Sequence, residues 1–225
     1  MIKTIMFDFG DTLAYERRPE YLTYYRVFKE VGYETELTRF KKAYYEAKEW
    51  WGIEKKNGKI WTERSRAMFL ERIFYCLDIP INQDIIEKMR EMFPHLSAMR
   101  AYKDAEPTLI ELQRRGFKLS ICSNVSSDKN LLIYLKSANL DKYFDLLIAS
   151  GTVGYEKPNP MIFKIASKLL QTPPEEMAHI GDRYDYDYQG AKVVGIFPIL
   201  IDRKGVYKNI NCTKVKSLTE LLNIL

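Results

Sequence analysis

The chain has 225 residues, 46% of them hydrophobic and 29% charged, which supplies a sizeable core and excludes a disordered, collagen-like or disulfide-stapled chain. Its three cysteines, Cys76, Cys122 and Cys212, are odd in number and lack metal-ligand spacing, so they read as reduced thiols of a cytoplasmic protein and imply no zinc site. A net charge of +5 hints at an anionic partner, yet basic and acidic residues are interleaved, as in EAKEWWGIEKKNGK; that describes a solvated surface, and no nucleic-acid signature accompanies it.

The chain opens with IKTIMFDFG, an apolar run of strand formers that stops at a Gly-Asp turn and reads as a buried strand. Asp8 and Asp11 interrupt it too early for a signal peptide, and no later apolar run is long enough to span a bilayer. From about Pro19 to Ser97 the pattern changes to helical periodicity in PEYLTYYRVFKEVG, ELTRFKKAYYEAKEWW, IWTERSRAMFLERIFYCL and NQDIIEKMREMF, each with apolar residues at three- and four-residue steps. Trp50, Trp51 and Trp61 share that spacing and are expected to build the core of this block rather than a base-stacking surface. Arg17 and Arg18 read as a solvated linker or as cations at a hinge, and His95, after Pro94, as a loop residue.

After Ala98 the rhythm alternates. Helix DAEPTLIELQRRG, strand FKLSICS, helix SDKNLLIYLKSANL, strand FDLLIAS, helix PMIFKIASKLL, strand MAHIGD, helix YQGAKVVG and strand FPILI follow one another, and the amphipathic SLTELLNIL closes the chain. Strands alternating with helices imply parallel strands joined by right-handed crossovers, an α/β doubly wound sheet. Residues 1–16 and 98–225 are therefore expected to form a sheet core, and residues 17–97 an inserted all-helical cap. Asn159 before Pro160 marks a helix start, and Gly32, Gly116 and Gly195 mark helix ends. No internal repeat occurs, nor a Gly-rich loop of either familiar nucleotide-binding kind.

In open parallel sheets the ligand lies beyond the carboxyl ends of the strands. Strand one ends in Asp8-Phe9-Gly10-Asp11-Thr12, FKLSIC in Ser123-Asn124, and MAHI in Gly181-Asp182, while the segment after FDLLIAS delivers Lys157. Singly, each has a structural explanation: a turn at Gly10-Asp11, a helix cap at Ser123-Asn124, a solvated loop lysine, a polar helix entry at GDRYDYD. Pro158 restricts Lys157 to an extended backbone, and His179 reads as a structural residue of its strand. The convergence of all four on one rim points to a site.

The order of these motifs resembles the haloacid dehalogenase superfamily of hydrolases, whose motifs run D-x-D-x-[TV], Ser/Thr, Lys and G-D-x-x-x-x-D. Here they fall on Asp8 to Thr12, Ser123, Lys157, and Gly181-Asp182 with Asp187, and EKPNPMIF and GDRYDYDYQGAK look like the third and fourth motifs of its phosphatase branch. The resemblance implies a Rossmann-like core with a helical cap and hydrolysis of a small phosphate ester. Asp8 attacks phosphorus to give an aspartyl-phosphate that water then cleaves. It implies magnesium on Asp8, Asp182 and the Gly10 carbonyl, with Ser123, Thr12 and the backbone N–H groups around Asn124 at the following helix start binding the phosphoryl oxygens. Lys157 neutralises nucleophile and phosphoryl group, and Asp187 orients Lys157 or a metal-bound water.

One departure stands out. The family's phosphatases carry an acid two residues after the nucleophile, and this position is Gly10. A backbone carbonyl there keeps the metal contact, while the side chain that protonates the leaving group is lost. Asp11 either replaces it or merely caps the turn. Without it, activity is expected to be slow or confined to good leaving groups. The alternatives are a 2-haloacid dehalogenase, whose halide leaves without a proton but whose fourth motif lacks the carboxylate of Gly181-Asp182, and a catalytically weak homologue that serves as a binding module. A phosphorylatable receiver is excluded by motif order. Cap closure about residues 14–19 and 97–103 is expected to gate turnover.

Overall fold

Strand β1 (Thr4–Phe7) is wholly buried. Side chains alternate across it: Ile5 and Phe7 join a core with Leu119, Ile121 and Ile180 on one face, while Met6 joins Cys122, Ile148 and Phe163 on the other. A strand buried on both faces has helices on both sides, which is why its sequence is continuously apolar. The chain then runs through β2 (Ala14–Glu16), the helices α1 (Glu20–Glu30), α2 (Leu37–Lys56), α3 (Glu63–Cys76) and α4 (Gln83–Leu96), and back through β3 (Met99–Ala101), which pairs with β2. Next come α5 (Ala105–Arg114), β4 (Lys118–Ser123), α6 (Asp128–Ser137), β5 (Leu146–Ala149), the single turn α7 (Ser150–Val153), α8 (Pro160–Leu170), β6 (Met177–Gly181), α9 (Gln189–Val193), β7 (Phe197–Ile201) and β8 (Lys214–Val215). This computed structural model describes all of residues 1–225.

The sheet has the order β5-β4-β1-β6-β7-β8, with every neighbouring pair parallel. The chain winds outward from β1 through β4 to β5, then crosses to the other side of β1 for β6. The reversal opens a crevice at the carboxyl end of β1. Register aligns the rim: Phe7 faces Ile121 on β4 and Ile180 on β6, so Asp8, Ser123 and Asp182 emerge at one edge.

The chain divides into two compact units, Met1–Tyr15 with Met99–Leu225, and Glu16–Ala98. The helical unit is packed by aromatic residues, among them Tyr24, Phe28, Phe40, Tyr44, Phe69, Phe74 and Phe93, with Trp50, Trp51 and Trp61 in or against the same cluster. Arg66 is buried inside it, its guanidinium 4.2 Å from the Phe93 ring centre and 5.4 Å from that of Trp61.

Several elements differ from the sequence expectation. The short strands β2, β3 and β8 are too brief to leave a periodic signal. Helix α4 continues through Pro94, so His95 is an exposed helical residue and not part of a loop; the missing proline N–H leaves the Arg90 carbonyl without its intrahelical donor, and the helix ends two residues later. The GDRYDYD stretch is a wide π-type turn over Tyr184–Tyr188 before α9, and the last segment is a 3₁₀ helix (Leu218–Asn223) closed by a Ser217–Glu220 capping box. Gly32, Gly116 and Gly195 do stand at left-handed positions, and Asn159 caps α8 by accepting from the Met161 N–H. The three cysteines are free thiols, and no helix is long and apolar enough to cross a membrane.

Candidate active site

The rim converges on one buried lysine. Lys157 Nζ donates to Asp8 Oδ1 at 2.8 Å and to Asp187 Oδ1 at 2.5 Å. Ser123 Oγ donates to the same Asp8 oxygen at 2.8 Å. The loop bearing Lys157, whose bond to Pro158 is cis, is clamped by Asn124: its side-chain oxygen accepts from the Lys157 N–H at 2.8 Å and its amide donates to the Lys157 carbonyl at 3.0 Å. Asp187 is held in turn by the Arg183 N–H at Oδ2 and by His179 Nε2 at Oδ1, each at 3.0 Å. Because a carboxylate only accepts, Nε2 carries the imidazole proton. The turn brings Asp187 hard against β6, and a Cβ at Gly181 would lie 2.1 Å from the Asp187 carboxyl carbon. Glycine is required there for close approach.

The electrostatics follow from burial opposed by pairing. Burial raises the Asp8 carboxyl, the Lys157 ammonium opposes the rise, and the nearby Asp187 charge adds to it. Burial would also raise Asp187, but Lys157 and the His179 hydrogen bond overcome it and hold Asp187 well below the usual carboxylate range. Burial would lower Lys157, yet the two aspartates keep it above its ordinary value, a permanent cation. Burial lowers His179, leaving it neutral. Asp182 has no cation of its own: burial, then Asp8, Asp187 and Asp11, push it up to about 7.

That imbalance makes the cluster a candidate cation site. Carboxylate oxygens of Asp8, Asp182 and Asp187 lie within 4.8 Å of one another, against a single paired lysine. Asp187 already has both oxygens engaged. Asp8 Oδ2 and the Asp182 carboxylate have no hydrogen-bond partner, and the all-oxygen donor set suits a hard divalent ion. The carboxylates of Asp8 and Asp182 fit a hard divalent cation, and Asp187 stands behind Lys157.

The remaining predicted residues are placed as follows. Asp11 is exposed, with φ at +55°, and its N–H donates to the Ala14 carbonyl. Thr12 is completely buried; its hydroxyl has no hydrogen-bond partner and its carbonyl accepts from Arg203 at 2.8 Å. The backbone around Asn124 does not form a helix start, because α6 begins four residues later and is capped by Ser127; Asn124 clamps Lys157 instead. Sequence reasoning gave no functional place to Arg203, which forks onto Asp104 at 2.9 and 3.1 Å and stacks 3.8 Å from the Tyr102 ring centre. Nor did it link His179 to Asp187, although a histidine within an apolar strand, eight residues before a motif aspartate, was a usable signal.

Comparison with known proteins identifies the family. A family profile described as haloacid dehalogenase-like hydrolase matches residues 2–195. The Bos taurus protein named haloacid dehalogenase-like hydrolase domain-containing protein 3 is 38% identical over 117 residues, 52% of this chain and 46% of its own length, so the match spans about half of that relative. A Methanopyrus kandleri protein named glyceraldehyde 3-phosphate phosphatase is 30% identical over 215 residues, 93% of this chain and 87% of its own. A solved 2-haloacid dehalogenase from Pseudomonas syringae superposes over 100% of this chain and 98% of its own, with a TM-score of 0.76 at 20% identity, a likeness of fold alone. The chain belongs to the haloacid dehalogenase-like hydrolases.

Proposed function

We propose that the chain is a magnesium-dependent phosphatase that hydrolyses a small phosphate monoester through an aspartyl-phosphate on Asp8. The observation that carries this is the division of labour at the rim. One Asp8 oxygen is fixed by Ser123 and Lys157 while the other is free, beside the unpartnered Asp182. A dehalogenase needs no carboxylate at Asp182, and relatives named glyceraldehyde 3-phosphate phosphatase and phosphoserine phosphatase support the phosphatase branch.

Asp8, Asp182 and the Gly10 carbonyl would hold magnesium, which would supply charge neutralisation for the transferring phosphoryl group. Asp8 supplies the attacking oxygen. Ser123 and Lys157 present donors to the phosphoryl oxygens, and Asp187 with His179 keeps Lys157 aimed at them. Asn124 fixes the Lys157 backbone. Position 10 offers no side-chain acid, so leaving-group protonation falls to Asp11 or is absent.

The deciding experiment is hydrolysis of an aryl phosphate by the purified chain with magnesium and then with EDTA, with a 2-haloacid as control. Metal-dependent phosphate release supports the proposal. Metal-independent release of halide would establish the dehalogenase reading, with which Gly10 is compatible. Neither product would indicate the silent homologue.

A further inference from the structure

A cleft of about 150 Å³ in the sheet unit has Asp11 and Asp182 on its wall together with Arg183, Arg203, Lys204 and Tyr207. Its cations are not equivalent. Arg203 is spent: both ends of its guanidinium face Asp104, one also serves the Thr12 carbonyl, and its plane lies on Tyr102. Arg183 and Lys204 are exposed and have no carboxylate partner. The Arg183 guanidinium sits 4.8 Å from the Tyr186 ring centre, which covers one face and leaves its edge donors open.

The segment bearing Lys204 is fastened. Asp202 accepts from the Val206 and Tyr207 N–H groups at 2.7 and 2.9 Å, and Lys214 Nζ ties down the Tyr207 and Ile210 carbonyls at 2.6 and 2.9 Å. The Asp202 charge is thereby consumed by the turn instead of pairing with Lys204, although they are two residues apart. A rigid turn that spends its own carboxylate on backbone, and holds an unpaired lysine at a cleft shared with the reactive acids, is organised for an anion.

We propose that Arg183 and Lys204 form a second anion subsite, so that the substrate is a phosphate monoester carrying a further carboxylate or phosphate. This rests on the phosphatase reading and deepens it. The residues of this subsite lie on loops after β6 and β7 of the sheet unit.

The test is calorimetric binding, which does not require turnover, of methylphosphonate against phosphonoacetate and 3-phosphonopropionate, with magnesium present and the full chain throughout. At least one carboxylate-bearing probe is expected to bind about tenfold or more tighter than methylphosphonate, a preference that weakens as salt is raised. Arg183→Met with Lys204→Met should reduce the ratio to about one, and Lys204→Arg should keep most of it. Equal binding of all three probes by the unaltered chain, or a preference that survives the double substitution, overturns the subsite. Aryl-phosphate hydrolysis in parallel keeps the two failures apart: hydrolysis without probe preference removes the subsite alone, and probe preference without hydrolysis removes the phosphatase activity alone.

Discussion

The two units each bury a cation, and they do so by opposite means. In the sheet unit Lys157 is buried against charge, touching Asp8 and Asp187. In the helical unit Arg66 is buried against aromatic faces, Phe93 and Trp61, with a 3.3 Å hydrogen bond to the Tyr24 hydroxyl. Ammonium is a compact, strongly hydrated point charge that needs ionic partners once dry, whereas guanidinium is planar, weakly hydrated and stacks. The contrast separates chemistry from scaffolding. The cation held by carboxylates at the rim can meet a phosphoryl group, while the one stacked on rings, with the Glu16 carboxyl nearby, packs the helical unit.

Four substitutions and one pH series probe that contrast, in descending order of effect. Asp8→Asn removes the nucleophile and should lower aryl-phosphate turnover on the order of 10⁴-fold, read by steady-state kinetics with magnesium. Lys157→Met leaves two buried aspartates without their cation and is expected to cost about 3–5 kcal/mol in denaturant unfolding, together with the activity. Gly10→Asp tests the missing acid directly. A Cβ there meets nothing within 4 Å and the backbone is not left-handed, so the chain should fold, and turnover of an alkyl phosphate should rise by about 10²-fold against a smaller change for an aryl phosphate. No rise would show that Asp11 already does this work. Arg66→Met keeps the volume and loses the stacking; unfolding should become easier by about 1–2 kcal/mol.

The smallest effect is pH-linked. The Asp182 carboxyl stands at about 7 in the folded chain, against an ordinary 3.8. Between those values the folded state holds a proton that the unfolded state has lost, so metal-free stability falls as pH rises through that window. Magnesium should therefore raise Tm more at pH 8 than at pH 5.5, where protons compete for Asp182. Asp182→Asn should flatten the fall and abolish the difference.

Much of the site was legible in the sequence because parallel strands end at one edge, so the residue that ends each strand announces itself. Asp8, Ser123 and Asp182 needed only that rule, and α8 and β7 fall on PMIFKIASKLL and FPILI as read. Asn124 does not stand at the start of α6 but clamps Lys157: hydroxyl-amide pairs after strands serve equally as helix caps and as loop clamps, and only the partner's position decides between them. Arg203 carries no local pattern at all, and His179 shows only its place in an apolar strand eight residues before Asp187. Their roles come from Asp187 and Asp104, residues brought to them by the fold.

Composition and periodicity by themselves determined a parallel α/β sheet interrupted by a helical block, since hydrophobic period is a local property of consecutive residues. The motif order determined the family. The tertiary structure alone decided which carboxylates are already spent and which remain open. Asp187 is filled by Lys157, His179 and a backbone N–H, Asp202 by its own turn, and Asp182 by nothing. The physical reason is that a carboxylate's availability depends on donors at long sequence separation and on the water excluded around it, and neither is written in its neighbours along the chain.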